Sequence, residues 1–434
     1  MPRPVTPEQA AAHAWFDHDR FGLFVHYGIY SVAARHEWVM TRERRTVEDY
    51  EKYAEFFDPD LFDAREIARA AKSAGMGYAV LTTKHHDGFC LWDSALTDYT
   101  SQAHQGRDLV REWVDALRAE GLRVGLYHSL IDWHHPDFPY DFHHPRRDDP
   151  DAHDPHPERT MEEYRRYLHG QVRELLTGYG TIDYLFFDFS YPWKLEGFTG
   201  KGHDDWGSVE LLDMCTRLQP GILVNDRLDI PGDLVTPEQY QPSAPMTLAG
   251  RRVRWEACQT LNGSWGYDRD NTDYKSHDML VRMLVDTVSK DGNLILNIGP
   301  DARGAITAAD RDALDAIGEW MRLHRASIIG AGAADGFTAP AGTVLTRRAD
   351  RLYVHLLHWP FGHLHLPDLA GRVRFARLLN DGSELPMSVL PPDKEALSTD
   401  LGGQPEGTLT LTLPVRRPDA LVPVIELYLD DADE

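Results

Sequence analysis

Short apolar runs alternate with helix-period segments over about 300 residues, and this rhythm limits the folds open to the chain. The runs are 22–27 (GLFVHY), 78–83 (YAVLTT), 123–128 (RVGLYH), 183–188 (DYLFFD), 221–225 (GILVN), 253–257 (VRWEA) and 293–298 (NLILNI). Between them lie amphipathic stretches. In 108–120, Leu109, Val110, Trp113 and Leu117 recur at the spacing of one helix face, and Gly121 supplies a stop. In 278–289, Met279, Leu280, Met283, Leu284 and Val288 predict a second such face. Strand–helix alternation of this length predicts a parallel sheet, and seven runs with one unread predict a closed (β/α)8-like TIM barrel. An open doubly wound sheet is the alternative. No G-x-G-x-x-G or Walker-type loop follows the first run, so a nucleotide-binding version of it lacks support.

The texture changes near residue 335. TVLTRR, RLYVHLL, RVRFARLL, TLTLTLPV and VIELYLD are short, β-rich and punctuated by Gly, Pro and Asp. A catalytic barrel over 1–334 and a C-terminal antiparallel β-sandwich over 335–434 are therefore expected. The His-, Pro- and Asp-rich segment 134–156 reads as a long solvated loop over the barrel mouth.

Lys and Arg number 45 against 69 Asp and Glu, a net charge of −24. Such a chain repels phosphate backbones and anionic bilayers at long range, so no nucleic-acid and no membrane partner is expected. A neutral sugar would be indifferent to that field. The three cysteines, Cys90, Cys215 and Cys258, have neither metal-site nor redox-motif spacing. The N-terminus lacks the apolar run of a signal peptide, so a cytoplasmic location is expected.

Polar and aromatic residues gather where the runs end. They include His26-Tyr27 with Glu37-Trp38, His85-His86-Asp87, Tyr127-His128-Ser129, Asp188, Asn225-Asp226-Arg227, Trp255-Glu256 with Trp265, and Asn297. In a barrel, chemistry sits at the C-terminal strand ends. Convergence from so many strands predicts a pocket, and aromatics mixed with His, Glu, Asp and Arg suit the C–H faces and hydroxyls of a sugar. Asp188 stands out, because a carboxylate ending an apolar strand is costly unless partnered or functional; a structural cap for the next segment is the other reading. Along that strand Tyr184, Phe186 and Asp188 share one face, and Leu185, Phe187 and Phe189 the other. Glycoside hydrolysis needs two carboxyl groups, and Glu37, Glu238 and Glu256 are available as the second.

At these residues the chain resembles the α-L-fucosidases of glycoside hydrolase family 29. The carriers are FGLFVHYGIYSV with Glu37-Trp38, TTKHHDGFCLW, LYHSLIDW, YLFFDF, LVNDR, RWEACQTLNGSWGY and LVDTVSKDGNLILNIGP, in the family's order along nearly the whole chain. The resemblance implies a retaining, exo-acting enzyme that removes terminal α-L-fucose from fucosylated oligosaccharides or glycoconjugates through a fucosyl-enzyme ester. It implies no cofactor and no metal. It places the nucleophile on Asp188, the fucose-binding groups on His26, Glu37, Trp38, His85, His86, Tyr127 and Arg227, a wall position on Phe186, and the aromatic facing the C5 methyl on Trp265. The family's T-x-E pattern, about a dozen residues after N-D-R, matches Glu238 as acid/base, with Glu256 second and Glu37 third. Two departures, Tyr127-His128 for two tyrosines and Phe189-Ser190-Tyr191-Pro192 after the nucleophile, are expected near the pocket rim. The sequence leaves oligomeric state open, a homo-oligomer included, since many large acidic enzymes self-associate.

Two other function classes make different predictions. A metal-dependent barrel hydrolase needs converging His, Asp or modified Lys. Here His26 is a lone histidine, and the adjacent His85 and His86 would point to opposite sides of an extended strand. A non-catalytic sugar-binding protein on the same fold would have no need of both carboxyl groups.

Overall fold

A computed structural model describes residues 6–153 and 159–430. Seven parallel strands form one curled sheet: Phe21–Val25, Tyr78–Lys84, Arg123–Ser129, Tyr184–Asp188, Leu223–Val224, Glu256–Gln259 and Asn293–Ile298. In space the first lies between the seventh and the second, and the order then runs to the fifth, with the sixth beyond the seventh. The remaining gap, between fifth and sixth, is bridged by an irregular extended segment. Asn225 pairs with Leu234, Val235 with Trp255, and Glu238 with Cys258, all in parallel. Residues 234–238 thus stand as the eighth stave of a (β/α)8-like barrel.

The 3.6-residue patterns become helices Leu109–Glu120 and His277–Val288. Asp108 caps the first by accepting the Arg111 N–H, and Gly121 ends it in the left-handed region. In the second, Leu280, Leu284 and Val288 are buried as expected, but Met279 is 49% exposed: the buried stripe is completed by Val281 and Val285 instead.

The barrel interior is filled by Phe24, Tyr78, Val80, Tyr127, Tyr184, Phe186, Leu223, Cys258 and Ile295, with Phe16 closing the N-terminal end. A Cβ on Gly22 would fall 2.3 Å from the Tyr78 ring, so glycine there admits the tyrosine. The expected alternation holds for Tyr184 and Phe186, which face inward, and for Leu185 and Phe187, which face the helices. It fails at Phe189, whose φ of 84° turns the chain and brings its ring back over the barrel mouth.

The sixth strand begins about three residues later than expected. Arg251–Arg252 pairs with Thr247–Leu248 in a small hairpin, so Glu256 heads the strand instead of ending it. Its buried carboxylate accepts hydrogen bonds from Tyr184 Oη (2.9 Å) and Tyr78 Oη. Those tyrosines are the first residues of their own strands. Glu256 therefore plugs the end of the barrel opposite Asp188, which lies four residues, roughly 13 Å, along the strand from Tyr184.

From Gly332 onward the strands are antiparallel, in a five-stranded and a three-stranded sheet. Leu352, Val354, Leu366, Leu378, Leu411, Ile425 and Leu427 pack between them. All five expected β segments are present, joined by three unread strands, Gly332–Ala333, His363–Leu366 and Met387–Ser388. Trp320 Nε1 donates to Val422 O (2.8 Å) and Thr346 Oγ1 to Ser327 O (2.8 Å), tying these sheets to the last barrel helix and the turn after it.

Candidate active site

At the C-terminal ends of the strands, Phe24, His26, Glu37, Trp38, His85, His86, Tyr127, Phe186, Asp188, Phe189, Glu238, Cys258 and Trp265 line one narrow cavity. Every residue singled out above for substrate or catalysis lies there except Arg227, which borders it, and Glu256. Phe24 and Cys258 join the wall unannounced, and Phe189, expected near the rim, lines the cavity itself. Phe24 and Cys258 read from sequence as ordinary strand apolar positions, and Phe189 is carried in by its left-handed turn.

Asp188 ends the fourth strand. Its Oδ2 accepts the Tyr127 hydroxyl at 2.9 Å and its Oδ1 accepts Arg227 Nη1 at 3.2 Å. Burial raises this carboxyl above the ordinary aspartate range; Arg227 opposes the rise and Glu238 adds to it, while the Tyr127 O–H and Phe189 N–H favour the anion. Glu238 is the exposed partner. Its Oε2 accepts Arg227 Nη2 at 3.0 Å. The guanidinium is itself aimed by Thr236, whose Oγ1 accepts Nε (2.9 Å) and whose carbonyl accepts Nη2 (3.0 Å). Thr236 Oγ1 in turn donates to Asp226 Oδ1 at 2.8 Å.

Two histidines have their tautomers set by neighbours. Asn297 Nδ2 donates to Trp265 O at 2.6 Å, which leaves Asn297 Oδ1 to face His26 Nδ1 at 2.6 Å. His26 must then carry its proton on Nδ1 and keep a lone pair on Nε2. Burial lowers its pKa to about 3, so the ring is neutral. Ser129 Oγ donates to Ile131 O (2.6 Å) and so accepts from His86 Nδ1 (2.7 Å). His86 Nε2, 3.9 Å from Asp188 Oδ2, is likewise an acceptor. His85 and His86 do not diverge: their ring centroids are 4.0 Å apart and both line the cavity. The pairing of the second strand with the third shifts register between Thr82 and Lys84, and a turn through Asp87-Gly88 follows, so two-residue alternation no longer applies.

Glu37 is fully buried, with Oε2 accepting the Gly266 N–H at 2.7 Å. Burial pushes its carboxyl up to about 7. A Cβ on Gly266 would lie 2.9 Å from the Tyr30 ring, so glycine lets that N–H approach. Trp265 faces His26, with ring centroids 5.1 Å apart; Phe186 stacks on Tyr127 at 5.9 Å; Trp38 packs against His86, Trp133, His143 and Phe189.

His128, one of the two departures, is not at the rim. It is buried on the outer face of its strand against Trp92. Among the described residues of the His-rich loop, most histidines are packed, while His153 and Asp151 stay exposed. His144 is buried against Phe138 and Tyr140, His134 stacks on Tyr99, and His135 packs on Tyr167; His156 lies outside the described residues. Among the described residues, no three His, Cys, Asp or Glu side chains form a group suited to share a metal ion.

The sequence profile described as alpha-L-fucosidase matches residues 4–326. The solved structure of alpha-L-fucosidase isoenzyme 1 from Paenibacillus thiaminolyticus superposes with a TM-score of 0.89 at 45% identity, covering 98% of this chain and 100% of that one. An alpha-L-fucosidase from Dictyostelium discoideum is 30% identical over 350 residues, 73% of this chain and 71% of the relative. A Bacteroides thetaiotaomicron alpha-L-fucosidase, trapped as a covalent intermediate with 2-fluoro-fucosyl fluoride, superposes with a TM-score of 0.81 at 25% identity over 99% of this chain and 98% of that one. With this barrel, this cavity and these relatives, the chain belongs to the α-L-fucosidase family of glycoside hydrolases.

Proposed function

We propose that the enzyme releases terminal α-L-fucose from fucosylated glycans with retention of configuration, Asp188 acting as nucleophile and Glu238 as acid, then base. The observation that carries this reading is the pairing of one partly buried and one exposed carboxylate on the same guanidinium at the barrel mouth. The sugar sits with its hydroxyls among His26, Glu37, Trp38, His85, His86, Tyr127 and Arg227. The imidazole acceptors His26 Nε2 and His86 Nε2 take O–H donors, and the C5 methyl packs against Trp265 and Phe186. An Asp188 oxygen attacks the anomeric carbon as the glycosidic C–O bond breaks, and the departing oxygen takes its proton from Glu238. Glu238, now a carboxylate, removes a proton from water; the hydroxide attacks the ester-linked carbon and frees Asp188. The bacterial relative trapped as a covalent intermediate supports the two-step route.

The test is turnover of an aryl α-L-fucoside by wild type and Asp188→Ala, with NMR of the first-formed sugar. Wild-type turnover giving α-L-fucose first, absent from the variant, is expected. First-formed β-L-fucose would overturn retention, and an active Asp188→Ala enzyme would overturn the nucleophile.

A further inference from the structure

Two of the sequence motifs, TTKHHDGFCLW and LYHSLIDW, each carry an ionisable side chain that the chemistry above does not use: Lys84 and Asp132. Both are buried, Lys84 at 0% and Asp132 at 1% exposure, and Lys84 Nζ donates to Asp132 Oδ2 at 3.1 Å. Burial works against the Asp132 anion, yet Lys84, His135 and His134 hold its carboxyl below the ordinary aspartate range, so the contact is an ion pair. Nζ also faces two rings of the helix Met161–Gly178, 5.1 Å from the Tyr167 centroid and 5.9 Å from that of Tyr164.

Such a pair is a poor device for stability. Desolvating two charges offsets most of their attraction, and apolar side chains of the same volume commonly serve a core as well or better. What the pair supplies is a fixed direction. Lys84 ends the second strand and stands at the base of a loop, closed by an antiparallel bridge between Lys84 and Cys90, that carries His85 and His86. Asp132 lies on the loop after the third strand. Its Oδ1 accepts the His134 and His135 N–H groups at 3.1 and 2.9 Å, which fixes the carboxylate that Lys84 meets. Further contacts stitch the two loops together beside the pair. Trp133 N–H donates to His86 O at 2.8 Å, and His86 Nδ1 donates to Ser129 Oγ. Gly88, with φ of 82°, leaves room for Asp132 Oδ1, which would lie 2.3 Å from a Cβ there. Tyr50 Oη secures the other flank by donating to Asp87 Oδ2 at 3.1 Å.

We infer that Lys84 and Asp132 are positioning residues for sugar recognition: their ion pair sets the lean of the 85–89 loop, so that two adjacent histidines, which would alternate on an ordinary strand, face one cavity. The inference rests on the fucose-binding roles proposed above for His85 and His86. Neither Lys84 nor Asp132 lines that cavity, so both act through the histidines.

The experiment measures KM and kcat on an aryl α-L-fucoside, and the inhibition constant of L-fucose, for wild type and for Lys84→Met/Asp132→Asn. Methionine keeps most of the lysine stem, and asparagine keeps an oxygen for the His134 and His135 N–H groups. The unfolding temperature is therefore expected within a few degrees of wild type. A hydroxyl held equally in ground and transition states contributes affinity, not rate. KM and the L-fucose inhibition constant are thus expected to rise together about tenfold, with kcat changed less than about threefold. A folded double variant with wild-type KM overturns the inference, as does a loss confined to kcat. Asp132→Asn alone is the second variant, since a buried lysine left without its partner sheds its proton and stays neutral. A rise in KM of about threefold is expected there. An unchanged KM, or failure of both variants to fold, assigns the pair to folding and overturns the positioning role. A wild type that neither cleaves the aryl α-L-fucoside nor is inhibited by L-fucose overturns the fucosidase reading instead.

Discussion

Asp188 and Glu238 are bound to the two terminal nitrogens of a single guanidinium, Nη1 and Nη2 of Arg227. Neither carboxylate is placed independently of the other. The cation favours an ionised Asp188, while Glu238 disfavours it. Replacing Asp188 by Ala is expected to lower kcat/KM on an aryl α-L-fucoside on the order of 10⁴-fold or more, with little change in thermal unfolding, because Arg227 keeps Glu238. A loss below about 100-fold would place the nucleophile elsewhere.

Glu238→Ala should sort substrates by leaving group. An aryl fucoside with an acidic phenol needs little protonation and loses the least rate, while a disaccharide loses about 10²–10⁴-fold. Added azide is expected to restore turnover and yield a fucosyl azide, detectable by mass spectrometry. Equal losses on both substrates, without azide rescue, would remove the acid/base role from Glu238. Glu256 is no substitute at the opposite end of the barrel, so Glu256→Gln is expected to show no such leaving-group dependence.

Glu256 is expected to act on stability instead. Burial raises its carboxyl from an ordinary 4.5 to about 7. A carboxyl whose pKa rises on folding holds its proton more tightly in the native state. Its contribution is complete below about pH 4.5 and is lost as pH climbs to about 7. Glutamine mimics the neutral form at every pH. Wild type is therefore expected to lose up to about 3 kcal/mol relative to Glu256→Gln between pH 5 and pH 8. Denaturant unfolding of both proteins at the two pH values measures this, and a pH-independent difference would rule it out.

Asn297 acts through His26. Removing its side-chain oxygen in Asn297→Leu frees the imidazole to exchange tautomers, and kcat/KM is expected to fall about tenfold, mostly through KM. Asn297→Asp keeps an acceptor at the same place, so it should retain the Nδ1–H tautomer and raise the His26 pKa from its value near 3. Imidazole ¹⁵N spectra distinguish the two. A wild-type spectrum with the proton on Nε2 would contradict the assignment.

The barrel was legible because its central strands are buried on both faces and read as plain apolar runs. The runs 78–83, 123–128 and 293–298 each match an observed strand to within a residue at either end. The eighth stave was not legible. Leu234 to Glu238 contains Pro237 and pairs at isolated points, so it carries neither periodicity nor length. The start of the sixth strand was misplaced because Val253 and Trp255 resemble strand residues, and only the Glu256–Tyr78–Tyr184 cluster shows which end of the barrel they occupy. The cavity's membership was legible from strand ends. The Arg227 bridge, the Asn297 and Ser129 tautomer locks and the Lys84–Asp132 pair were not, because each joins residues from different strands or loops.

The eighth stave separates what is rigid in this enzyme from what is free to vary. Asp188 belongs to a strand paired continuously with its neighbour on one side, so moving it by one residue would turn a whole row of side chains inside out. Glu238 hangs on a segment tethered at three places, between the loops 226–233 and 239–254. Insertions or deletions in those loops leave the barrel register untouched while re-aiming the Glu238 carboxyl. On the roles proposed above, descendants of this architecture can retune which leaving group is protonated, and from what side, without rebuilding Asp188 or the cavity walls around it.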